Sequence, residues 1–187
     1  MYRHHWVYRP GHPDYAHAWP TILADSRRII EAVRRSGIVI AGPDGYRRPL
    51  LDTGQGLALN GDATSDLDGE PFHLSAPLPL APDRRAWTAG CTTSRKPYDL
   101  AVAAILLRCT LLLPQAFAVA SDGTWDAEWA DGATPGTTAP RLGARTVIAD
   151  LFDVRPPASP LRTSVAELHP APGTLGPADT GRPRTGG

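Results

Sequence analysis

The stretch Thr92-Thr93-Ser94-Arg95-Lys96-Pro97-Tyr98-Asp99 sets three hydroxyls and two cations directly before a long apolar run. If that run is a helix, its first turn offers free backbone N–H groups and a positive dipole end. A phosphate or carboxylate could then be held by Thr93, Ser94, Arg95 and Lys96. The stretch is not a P-loop, because the glycine spacing and the Gly-Lys-Ser/Thr ending are absent. The same residue types also serve as plain helix caps, and Asp99 could satisfy the free N–H groups itself and oppose an anion.

Asp122, in the turn Ser121-Asp122-Gly123 after a short apolar run, is expected to lie near this basic stretch and complete the ligand site. The acidic loop from Asn60 to Glu70 carries oxygen ligands at alternating positions that could hold Mg²⁺ or Ca²⁺. No register starting at Asp62, Asp66 or Asp68 gives an EF-hand, so a solvated hairpin loop accounts for it and no metal is assigned. With Asp122 and Asp126 beside it, the loop would form a carboxylate cluster suited to a phosphate ester. Four histidines, His4, His5, His12 and His17, fall in the first seventeen residues. His4 and His5 point to opposite faces of a strand, and no pair has i, i+4 spacing, so polar strand and loop positions explain them. Cys109 reads as inert core, whereas Cys91 precedes the basic loop without a partner motif. Tyr98, Trp125 and Trp129 either line a flat-ligand wall beside Arg95 or belong to the core.

The elements that would position these groups follow from periodicity and punctuation. Tyr2 to Tyr8 is an aromatic-rich strand closed by Pro10-Gly11. Ile22, Ser26, Ile29, Ile30 and Val33 mark one face of an amphipathic helix with Pro20 in its first turn and Gly37 as its stop. Ile38 to Ala41, Leu50-Leu51, Leu57 to Asn60 and Phe72 to Ser75 read as short strands of an antiparallel meander. Pro77, Pro79 and Pro82 make an extended connector to a strand at Ala86 to Thr92. Pro97 to Leu113 is the most apolar helix. Its two charges, Asp99 and Arg108, lie on opposite sides, so it has no polar face and should be central. Ala116 to Ala120 reads as a buried strand, Thr124 as the cap of a short helix, and Arg141 to Phe152 as a last helix.

The chain has 187 residues, 19 basic and 19 acidic side chains, and two cysteines. That length fits one domain, and the zero net charge argues against a general nucleic-acid binder or electrostatic membrane attachment. Two cysteines fit reduced cytosol, and no signal-peptide run opens the sequence. The expected architecture is a single α+β domain over residues 1–153. It combines a mainly antiparallel sheet with a central apolar helix and flanking helices. A Pro/Gly-rich disordered tail over residues 154–187 follows, with apolar islands at Leu161, Val165 and Leu168.

The segment from Thr92 to Val102, followed by Ser121-Asp122-Gly123-Thr124-Trp125-Asp126, resembles a pattern in hypothetical proteins of actinobacteria and of phages. The likeness spans about Tyr2 to Phe152. No activity is attached to that family, so the resemblance implies one compact domain and supplies no catalytic residue. Two functions are expected from the residues. The first is a cytoplasmic protein or enzyme for an anionic small molecule, bound by Thr93, Ser94, Arg95 and Lys96 with Asp122. The second is a non-enzymatic interaction or accessory module that contacts a protein partner through its tail or an exposed aromatic face. Neither names a cofactor.

Overall fold

A helix without a polar face must be covered on every side, and the chain is built around one. In a computed structural model that describes residues 1–78, 86–131, 142–164 and 167, helix α2 (Asp99–Leu112) is buried continuously from Asp99 to Leu107. It packs against helix α1 (Pro13–Arg35), helix α4 (Ala144–Phe152) and strand β6 (Phe117–Ser121). Each fully buried Leu or Ile contributes about 1.5–3 kcal/mol, so this helix anchors the fold.

Two three-stranded antiparallel sheets complete an α+β architecture. In the first, β1 (Arg3–Tyr8) lies between β5 (Trp87–Thr92) and β6. His4 stands opposite Cys91 on one side and Ser121 on the other. Alternation sends His4, Trp6 and Tyr8 inward, where Trp6 and Tyr8 join the main core. The second sheet is the expected meander of β2 (Leu50–Asp52), β3 (Gly56–Leu59) and β4 (Phe72–Leu74). Among the described residues no helix is long and apolar enough to cross a membrane.

Several boundaries differ from the sequence reading. Helix α1 starts seven residues before Pro20, because Pro13 occupies its first turn and His12 Nδ1 accepts the Asp14 N–H at 3.1 Å. Pro20 lies inside the helix instead. Ile38 to Ala41 is not a strand; Ala41 alone forms a bridge, to Asn60. Pro97 precedes α2, and Thr124 precedes α3 (Glu128–Asp131) by four residues instead of capping it. Helix α4 begins after Gly143, with Arg141 outside the described residues.

The chain does not leave the body after Phe152. Val154 and Leu161 pack against the core, and Arg162 forms a parallel bridge with Ala120 of β6. The expected tail over 154–187 is therefore anchored at its start, while residues 165–166 and 168–187, with the islands at Val165 and Leu168, lie outside the described residues. So do residues 79–85, which hold most of the proline connector.

Candidate functional site

The first residue of α2, the end of β5, the end of β6 and the start of β1 converge, and polar groups from all four meet beneath the surface. Four polar side chains do not enter a core unless they satisfy one another. His4, with no exposed surface, places Nε2 at 2.8 Å from Asp99 Oδ1 and Nδ1 at 2.9 Å from Ser121 Oγ. Thr93 Oγ1 donates to the same Asp99 oxygen at 2.5 Å. An ionised carboxylate only accepts, so these partners assign the imidazole proton to Nε2. Nδ1 is then left to accept the Ser121 hydroxyl proton.

Ser121 Oγ also receives the Gly123 backbone N–H at 3.0 Å and the Trp129 indole N–H at 3.2 Å. Burial first, and the Asp99 charge second, push the Tyr2 phenol far above its ordinary value, so it keeps its proton. Tyr2 and Trp129 meet the His4 ring edge-on, with centroids at 5.3 and 5.6 Å, and fix its plane. Gly123 is required here, since a Cβ would come within 2.1 Å of the Tyr2 hydroxyl. Ser121 itself is half-buried and Asp122 beside it is exposed.

The residues expected to hold an anion are placed differently from one another. Thr93 is buried on Asp99. Ser94 and Arg95 both adopt left-handed backbone, at φ 53° and 59°, in a turn closed by Lys96 N–H on Thr93 O at 3.0 Å. Arg95 pairs with Glu128 at 3.2 Å and lies 4.7 Å over the Tyr2 ring. Lys96 donates to the backbone carbonyls of Asp66 and Asp68 and pairs with the Asp66 carboxylate at 3.7 Å. Asp122 accepts the Arg3 backbone N–H at 3.0 Å. Both cations are thus paired with carboxylates of the chain, and Asp99 occupies the start of α2.

The acidic loop does reach Lys96, as a cap and not as a ligand set. Asp62 accepts Thr64 N–H and the hydroxyls of Thr64 and Ser65, which hold its carboxyl below the usual range. Asp126 pairs with Arg145 instead, at 3.0 Å. Among the described residues no three His, Cys, Asp or Glu side chains gather as a metal would need.

The aromatic wall does not form. Tyr98 and Trp129 are core, and Arg145, not Arg95, lies over Trp125 at 4.4 Å. Cys91 is buried with its thiol pushed up to about 12 by desolvation, as is that of Cys109.

The arrangement that sequence reading missed is the run from Ser121 through His4 to Asp99. The pairs are 117 and 95 positions apart, so no local spacing reveals them. One signal exists: alternation puts His4 on the face that carries Tyr2, Trp6 and Tyr8, and a histidine among inward aromatics must find polar partners. No family model, curated protein or solved structure matches this chain, so the chemistry is argued from these distances.

Proposed function

We propose that the protein catalyses acyl transfer, with Ser121 as nucleophile, His4 as base and Asp99 as the group that orients His4 and stabilises its charge. One observation carries the reading: an unbroken run of hydrogen bonds from Ser121 Oγ to His4 Nδ1 and from His4 Nε2 to Asp99, at 2.9 and 2.8 Å. A nucleophile, its base and the base's orienting group are recognised by such geometry whatever their order in the chain.

In the first step Ser121 Oγ forms a bond to the carbonyl carbon of an ester or thioester while its proton passes to His4 Nδ1. The imidazolium lies against Asp99, which Thr93 holds in place. Collapse of the tetrahedral species expels the alcohol or thiol, which takes the proton back from His4 and leaves an acyl-serine. Water or a second nucleophile then releases the acyl group by the same route reversed. The N–H groups of Gly123 and Trp129 lower the basicity of Oγ and so ease the passage of its proton to His4.

The test uses a fluorophosphonate, which reacts with activated serines, on the full chain at about pH 8, read by peptide mass spectrometry. The expected result is an adduct on Ser121, its formation slowed about 10²–10⁴-fold in His4→Gln. A chain with native near-ultraviolet circular dichroism and no adduct on Ser121 overturns the proposal. That result would assign the cluster to joining the sheet and α2.

A further inference from the structure

Strand β6 has one edge paired with β1, and among the described residues its other edge carries a single bridge, to Arg162. Arg162 N–H donates to Val119 O at 2.7 Å, with the local chain running parallel to β6. An open strand edge presents a row of backbone donors and acceptors, and chains protect such edges by covering them. Here the cover is short. Beside it a hollow of about 300 Å³ follows β6 toward its start, lined by Val7, Arg9, Phe117, Ala118, Arg162 and Glu167. Val7 and Ala118 of its lining form a small apolar cluster with Ala120, and Arg9, Arg162 and Glu167 make the rest of it charged.

The charges of the hollow do not balance. Glu167, bonded to the amide and hydroxyl of Thr163, sets one negative charge against the two guanidiniums of Arg9 and Arg162. Arg9 makes no ion pair among the described residues. Among the described residues the hollow therefore offers an unpaired guanidinium beside small apolar side chains and a strand edge.

We infer that this edge binds an extended peptide of another protein, parallel to β6 in the register Arg162 now holds and carrying a carboxylate for Arg9. The backbone edge supplies the pairing, the small residues Ala118 and Ala120 admit close approach, and Arg9 selects acidic partners. The chain's own segment around Arg162 occupies the edge in the resting molecule and yields to a competitor. This surface is independent of Ser121 chemistry, and its test does not involve His4 or Asp99.

The probe is a fluorescein-labelled peptide with the sequence of residues 158–167, titrated with the full chain by anisotropy. Arg162→Pro in the full chain removes the N–H that bonds Val119 and frees the edge. The expected result is binding of the probe by Arg162→Pro at least about tenfold tighter than by the unaltered chain, which its own segment blocks. Adding Arg9→Glu should weaken binding about threefold to tenfold, because it sets a negative charge against the carboxylates of the probe. No anisotropy change with folded Arg162→Pro overturns the inference. Equal binding by a probe that itself carries Arg162→Pro overturns it too, because pairing to the edge would not be the cause.

Discussion

Burial and hydrogen bonding set the protonation of three residues, Cys91, Cys109 and Glu128, and each can be measured. Cys91 and Cys109 are buried and their thiols are pushed up to about 12 by desolvation, so almost no thiolate forms at neutral pH. A disulfide reagent should titrate neither in the native chain and both after unfolding in urea. One fast native thiol would show that the packing over β5 or α2 is open. Glu128 behaves oppositely: the Thr124 backbone N–H first, and Arg95 among the smaller causes, hold its carboxyl below the ordinary 4.5. Because the folded value is depressed, its stabilisation is complete above the unfolded value and is lost as pH falls through the folded one. Urea midpoints measured from about pH 6 down to about pH 3 should therefore fall less steeply in Glu128→Gln than in the unaltered chain. Equal slopes would mean that the bonds from Thr124 and Arg95 to Glu128 do not persist in solution. Sequence reading located Arg95, Lys96 and Asp122 as chemically loaded and failed on their partners. Partner choice was set by Glu128, by the carbonyls of Asp66 and Asp68, and by the Arg3 backbone, none of which a local pattern points to.

Elements meet through few polar contacts here, and the one that joins α1, α2 and α4 is the most informative. Asp25 of α1 accepts from Arg108 of α2 at 2.8 Å, and the Arg108 guanidinium lies 4.2 Å over the Phe152 ring of α4. Arg28 covers the same ring at 4.6 Å and donates to Leu151 O at 2.6 Å. Both partners of the Asp25–Arg108 pair are mostly buried, so removing one leaves a charge without compensation. Asp25→Ala should cost about 3–5 kcal/mol in urea unfolding, whereas Asp25→Ala with Arg108→Met should recover most of it. If the double variant is as unstable as the single one, the loss comes from packing instead of charge. A second element-scale prediction concerns Pro20, which is exposed inside α1 and withholds one helical hydrogen bond. Pro20→Ala should stabilise the chain by roughly 1–3 kcal/mol; an unchanged midpoint would mean that the helix already absorbs the defect by bending. The stripe from Ile22 to Val33 was legible because burial on one face imposes the 3.6 period. The true start of α1 was not. Two turns of helix upstream of Pro20 are held by tertiary bonds, from Tyr15 to Ser75 O at 2.8 Å and from Trp19 to Thr53 O at 3.0 Å, and these have no local signature.

For the molecule as a whole, the arrangement of layers decides how it opens. Helix α2 is enclosed by α1, α4 and β6, and its first residue is tied through His4 to β1 and through His4 and Ser121 to β6. Releasing α2 therefore means exposing core from every layer at once, so its amides have no partial opening available to them. The contact between Arg162 and β6 is the opposite case, since one bridge at the surface can break while the rest stays folded. Native-state hydrogen exchange should accordingly give Val102 to Leu107 an opening free energy equal to that of global unfolding by urea. The Arg162 amide should exchange with a far smaller value. In His4→Ala the α2 value should fall together with the global one, because the clamp acts on the whole folded body. If α2 amides exchange at a lower free energy than those of β1, then α2 is not the keystone of the core and the polar cluster binds only the strand ends.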